Sequence, residues 1–416
     1  MSEWKELKIE DFCEVIGGGT PSTKEVSYYG GEISWITPRD LTNYKKRFIL
    51  RGERNITELG LKNSSARILP KNSILLTSRA PIGYLAIAEK EVCTNQGFKS
   101  LIINPEKADY NFVYYLLKSN VERIKGLGTG TTFAEISGSV VKNLKFSLPD
   151  LQTQTAIAEI LSSLDDKIEL NNKINQELET LAQTLFKQWF IDFEFSNENG
   201  KPYKSSGGKI MDSELGEIPV GWEIKRLKQI LNIKRGGSPR PIHDYMASSG
   251  LPWVKISDAT ALNNPFLFST KEFIKVEGLR KTILLKKGSL ILSNSATPGL
   301  PKFLELDACI HDGWLHFQDI ECVTYNFLYL LFLYIRLDLV GQGNGSIFIN
   351  LKTDILKEYA ISIPNSDVME KFSEVINPIF ETIKNNASEN IKLTNLRDYL
   401  LPKLISGELE INEINN

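Results

Sequence analysis

Chemistry in this chain would have to start from three histidines, four cysteines and one glycine-rich turn. Cys13, Cys93, Cys309 and Cys322 are scattered, with no C-x-x-C pair. They fit neither zinc spacing nor a disulfide framework, and they predict a reduced compartment. Gly17-Gly18-Gly19-Thr20-Pro21 has the glycines of a phosphate loop but not its lysine, and Pro21 removes an amide that a helix N-terminus would offer. It recurs as Gly236-Gly237-Ser238-Pro239, which favours a structural turn over a phosphate cradle. Asn264-Pro265-Phe266 falls one proline short of the [DNS]-P-P-[YFW] motif of amino-methyltransferases, and no S-adenosylmethionine glycine motif follows a strand. His243, His311 and His316 form no ligand pattern, and His311-Asp312 stands where a second copy of the same unit has Asn95-Gln96. A metal or nucleophile would recur if both copies did the same chemistry. The reading is that the chain holds no catalytic residue and no metal.

Charge points elsewhere. The whole chain has 416 residues and a net charge of −2, with 42% hydrophobic residues, enough for two or three domains with real cores. From Arg39 to Arg79, ten bases face three acids, a net of +7. From Glu159 to Glu198, nine acids face three lysines, a net of −6. Lys225, Arg226, Lys228, Lys234, Arg235 and Arg240 cluster against Glu223. Such basic globular parts beside an acidic stretch suit a polyanion, although a solvated basic face is the plainer account of any one run. Arginine suits guanine, and asparagine or glutamine suits adenine, in the major groove. The candidate DNA contacts in the first copy are Thr20, Arg39, Lys45, Lys46, Arg47, Ser78, Arg79, Asn95, Gln96, Thr131 and Thr132. In the second copy they are Ser238, Arg240, Lys255, Ser257, Asn294, Ser295, His311 and Asp312. The start, MSEWKELKIEDF, does not read as a signal peptide. The most apolar stretch, Phe327 to Ile335, is too short for a membrane span and reads as a buried helix.

The elements that must carry these residues come in two copies. Trp4, Gly18 to Pro21, Trp35 and Asp40 recur 218 residues later. Ser73 to Thr77, Gly83 and Gly97-Phe98 recur after 216, and Tyr110-Asn111-Phe112, Gly128, Gly130, Phe133 and Pro149 after 215. So few slips over so long a span mark a true repeat. Each copy reads as a mixed α and β globular part, about 1–150 and 213–364, followed by a long helix. Ser73–Thr77 and Ser289–Ser293 read as strands, Tyr110–Lys118 and Tyr325–Ile335 as helices, and Leu144–Pro149 and Tyr359–Pro364 as closing strands. The stretch 193–212 is a polar Gly/Ser/Lys linker.

The first long helix has a narrow seam at Ile157, Leu161, Leu164, Ile168, Asn171, Asn175, Leu178, Ala182 and Leu185. The second repeats it 215 residues on, at Phe372, Ile376, Ile379, Ile383, Asn386, Asn390, Leu393, Arg397 and Leu400. Spacing by threes and fours predicts a coiled coil, and the matched asparagines predict that the two helices pair with each other. Pro378 predicts a kink.

The segments QTAIAEILSSLDDKIELNNKINQELETLAQTLFKQWFIDFEF and LRDYLLPKLISGELEI, with GTGTTFAEIS and LTSRAPIGYLA, resemble the specificity subunit of Type I restriction-modification systems over essentially the whole chain. The resemblance implies an α+β fold: two mixed α/β target recognition domains in an internal pseudo-twofold repeat, separated by two long antiparallel coiled-coil helices. The boundaries would be 1–150, helix 151–192, linker 193–212, 213–364, and helix 365–410 with a tail to 416. Each recognition domain would read half of an asymmetric bipartite target in double-stranded DNA, the helices acting as spacer. Two modification (methyltransferase) subunits and the restriction subunits would be partners in a prokaryotic cytoplasm, with no membrane involved. S-adenosylmethionine, ATP and Mg2+ would serve those partners, none being bound by this chain. The competing readings are a solitary DNA methyltransferase and a coiled-coil adaptor without a DNA role.

Overall fold

The computed structural model describes residues 4–130, 134–341 and 350–411. It divides into two compact units, Met1–Glu169 with Lys392–Asn416, and Leu170–Ile391. Each unit joins one globular part to segments of both long helices.

In the first unit a five-stranded sheet runs in the order Cys13–Gly17, Lys99–Ile103, Ile74–Leu76, Leu85–Ala88, Phe48–Ile49. Ile74, Leu75 and Leu76 are all fully buried because the sheet is covered on both faces. Ile74 and Leu76 face a core shared with Phe112 and Tyr115 of the helix Tyr110–Ser119, and with Ile157, Leu161, Leu400 and Leu404 of the long helices. Leu75 faces a second core with Ile36, Ala86 and Phe98. A three-stranded sheet, Arg54–Ile56, Tyr29–Ile36 and Cys93–Thr94, completes the globular part. Lys5–Lys8 pairs antiparallel with the closing strand Lys145–Leu148.

The second unit repeats this plan. Its matching sheet runs Asn232–Arg235, Trp314–Gln318, Leu290–Ser293, Pro301–Leu304, Phe266–Leu267. Glu223–Arg226 pairs with the closing strand Ala360–Ile363. A second five-stranded sheet surrounds Leu251–Val254. The stretch read as a polar linker is apolar where it touches the fold: Phe195 stacks on Trp222 and Tyr203, and Phe193 meets Trp222 edge-on.

The long helices are Leu151–Phe190, 40 residues, and Ser366–Ser406, 41 residues. Neither is interrupted by glycine, and burial of a seam supplies the stability that propensity alone would not. In the second unit they run antiparallel. Asn171 Nδ2 donates to Asn390 Oδ1 at 2.9 Å, and Asn386 Nδ2 to Asn175 Oδ1 at 2.9 Å. Asn175 Nδ2 also donates to the Ile383 carbonyl at 3.2 Å. Every seam residue of the first helix is at least half-buried, but Phe186, Trp189 and Phe190 widen the seam at its end into a stripe facing Phe327 and Phe372. The second helix continues unbroken through Pro378, where the sequence predicts a kink; the ring is exposed, and the Thr382 hydroxyl donates to the Pro378 carbonyl at 2.8 Å.

Burial pushes the Cys13 thiol up to about 12 and those of Cys93 and Cys309 to about 11, whereas Cys322 lies exposed just before the helix Tyr325–Tyr334. No helix among the described residues is long and apolar enough to cross a membrane.

Candidate nucleic-acid interface

The glycine-rich turn leaves the strand Cys13–Gly17 and folds flat against the chain that follows the strand Cys93–Thr94. The Gly19 amide donates to the Thr94 carbonyl at 2.9 Å. A Cβ on Gly18 would collide with the Thr94 and Asn95 carbonyls. Trp35 Nε1 donates to the Gly19 carbonyl at 2.9 Å and pins the turn from below. Gly236 sits likewise against the Ile310 and His311 carbonyls. Close backbone approach is therefore what the glycines provide, and the structural-turn reading explains them without a phosphate.

The turn delivers one hydroxyl in each copy to the same place. The Thr20 hydroxyl donates to Gln96 Oε1. The Ser238 hydroxyl donates to Asp312 Oδ1 at 2.7 Å. Arg240 Nη2 reaches the other Asp312 oxygen at 3.4 Å, and Arg235 Nε donates to the Asp312 carbonyl at 2.5 Å. The hydroxyl of Ser238, with Arg240 beside it, holds the Asp312 carboxyl below its ordinary range. The preceding residue turns inward in both copies. Asn95 Oδ1 accepts from the Gly97 amide at 2.9 Å, and His311 Nδ1 from the Gly313 amide at 2.8 Å. Burial lowers the His311 pKa, in keeping with a neutral ring that accepts at Nδ1. Asn95 and His311 thus shape the turn, and Gln96 and Asp312 occupy its rim.

Arg79 and Ser295 lie beside these rims. The Ser78 amide donates to the Gly97 carbonyl at 2.7 Å, and the Asn294 amide to the Gly313 carbonyl at 2.9 Å. Arg79 pairs with Glu135 at 3.3 Å, and Lys99 reaches the same carboxylate at 3.6 Å. Glu135 was invisible in the sequence because nothing there announces that Glu135 and Ile136 come back onto the segment of Ser78 and Arg79, where the Ile136 amide donates to the Ser78 carbonyl at 3.0 Å. Arg39 and Ser257 are exposed on short helical turns, Pro38–Leu41 and Ile256–Thr260.

Other candidates do not join the rim. Ser78 and Asn294 are buried, 1% and 3% exposed, so they do not offer their side chains to a base edge. Arg47 is 5% exposed and binds Asp166 and Tyr115 rather than solvent. The run of charge was legible, but which face each base takes was not. Lys255 is paired with Glu272 at 2.5 Å. Lys45 and Lys46 are exposed on the turn before Arg47. Thr131 and Thr132 lie outside the described residues. Among the described residues no group of three His, Cys, Asp or Glu side chains is placed to hold a metal ion.

Residues 1–180 and 219–395 match the Type I restriction modification DNA specificity domain. Over 99% of the chain and 95% of the relative, the sequence is 38% identical to the Type I restriction enzyme MjaIX specificity subunit of Methanocaldococcus jannaschii. It is 27% identical to the HindI specificity subunit of Haemophilus influenzae, over 98% of this chain and all of that one, 100%. The fold is similar to the crystal structure of the Type I restriction-modification S subunit from M. genitalium, with a TM-score of 0.61, 19% identity, and coverage of 97% and 96% of the two chains.

Proposed function

This chain belongs to the Type I restriction-modification DNA specificity family and is a DNA sequence-specificity subunit, and on that premise we propose that each recognition domain reads one half of an asymmetric bipartite target through its glycine-turn rim. The observation that carries this reading is the paired rim itself. One hydroxyl meets one polar side chain at the same place in both copies, but the side chain is neutral Gln96 in one and anionic Asp312 in the other. Glutamine both donates and accepts, whereas carboxylate only accepts, so the two rims suit different bases. The bases exposed around Arg39 and Lys46 supply sequence-independent attraction to phosphate.

The chain itself has no catalytic role in this reading. Two modification subunits dock on the acidic long helices and use S-adenosylmethionine to methylate adenine, and restriction subunits using ATP and Mg2+ complete the complex in a prokaryotic cytoplasm. The paired helices set the untouched spacer.

Replacing 213–364 with a second copy of 1–150, in the full chain with its methyltransferase partner, tests the reading. Sequencing of methylated adenines should show the target becoming palindromic, built from the first half-site twice. An unchanged methylated sequence would refute it.

A further inference from the structure

The polar cluster around Arg47 belongs to the first unit and takes no part in the rim. Arg47 Nη2 donates to Asp166 at 2.7 Å, its Nη1 to the Tyr115 hydroxyl at 3.0 Å, and its backbone amide to Glu169 at 2.9 Å. The Tyr115 hydroxyl donates onward to Asp165 at 2.7 Å. Arg397, from the second long helix, holds the other Asp165 oxygen at 2.6 Å, and Lys118 stands 3.7 Å away. The network therefore ties the globular part to both helices at once.

The repeat supplies a comparison within the same chain. Arg47 corresponds to Pro265: the Ile87 amide donates to the Arg47 carbonyl and the Phe303 amide to the Pro265 carbonyl, each at 2.9 Å. Tyr115 corresponds to Leu330, Lys118 to Leu333, Asp165 to Phe380, and Arg397 to Ala182. Five polar positions have become apolar together. In the second unit Phe380 packs edge-on against Phe266, Phe303 and Tyr329 at ring separations of 6.4, 5.8 and 5.4 Å. The same scaffold thus accepts a largely apolar mount, in which the one polar tie among these rings is the Tyr329 hydroxyl donating to Glu179 at 2.6 Å.

A buried ion network adds little net stability over an apolar equivalent, because its desolvation offsets its attraction. What it adds is direction, since forked guanidinium contacts tolerate little rotation whereas apolar contact is non-directional. We propose that Arg47, Tyr115, Asp165 and Arg397 are positioning residues that fix the angle of the first recognition domain on its helices, and so the spacer length the assembled complex accepts. This rests on the bipartite reading above.

The test uses the full chain with its methyltransferase partner, reading methylated sites, their spacer lengths and thermal melting. The variants are Asp165→Asn, Arg47→Lys, and a combined Arg47→Met, Tyr115→Leu, Lys118→Leu, Asp165→Phe, Arg397→Ala that imports the second copy's apolar chemistry. Both half-site sequences should stay unchanged, while methylation at sites whose spacer differs by a single base pair should rise about tenfold relative to the cognate spacing, one decade in an equilibrium ratio. The combined variant should show this while melting like the parent. Arg47→Lys keeps the charge without the fork and carries the test if the larger changes fail to fold. A changed first half-site would overturn the proposal by making Arg47 a reader. Unchanged spacer discrimination in folded variants would overturn it by making the network a mere support. A parent chain with no bipartite methylated sequence would instead refute the underlying reading.

Discussion

Gln96 and Asp312 hold one position in two copies of one unit, and they offer a base opposite things. Good bidentate base contacts discriminate by about 1–3 kcal/mol, or roughly five- to 150-fold. Gln96→Ala should therefore relax the first half-site by that order and leave the second untouched, and Asp312→Ala should do the reverse. Methylated-site sequencing of each variant with its partner checks this, and relaxation of both half-sites by either variant would contradict it. The types of these residues were legible in the sequence, as was their alignment in the repeat. Their orientation was not. Ser78, two residues past the buried strand Ile74–Leu76, looks as available as Gln96 until it is seen to be only 1% exposed. Arg47 sits in a run of bases, and only the approach of Asp166 and Tyr115 shows that it points inward.

The helices were the most legible elements, because a seam of threes and fours from Ile157 to Leu185 recurs 215 residues later with its asparagines in place. The matched asparagines also predicted the pairing, and the second unit joins Asn171 to Asn390 and Asn175 to Asn386. The aromatic widening at Phe186 and Phe190 escaped the heptad pattern, since it answers to Phe327 of the globular part as well as to Phe372 of the other helix. The asparagines lend themselves to a double-mutant cycle. Asn175→Leu alone strands the Asn386 amide and should cost about 1–3 kcal/mol, whereas Asn175→Leu with Asn386→Leu should be near neutral or stabilising. Denaturant unfolding of the four proteins measures this, and simple additivity of the single changes would contradict it.

At the scale of the whole molecule, the repeat of 215 to 218 residues discloses two copies of one unit in the sequence alone. The sheet orders of the two units, each with the strand that leads into the glycine turn at one edge and a short parallel strand at the other, follow the same plan. The different mounting of the two copies stayed hidden. It lies in residues far apart in sequence, Arg47, Tyr115, Asp165 and Arg397, whose joint exchange for apolar types means nothing until they are seen in contact. The cysteines carry a practical consequence. Three thiols are buried and held protonated at neutral pH, and the fourth, Cys322, is exposed. The thiolate is the reactive species, so a maleimide dye at neutral pH should add once per native chain and four times after denaturation, as intact-mass spectrometry would count. The natural sequence then carries its own attachment point for a fluorophore on the second unit, and DNA capture can be followed optically without altering a residue.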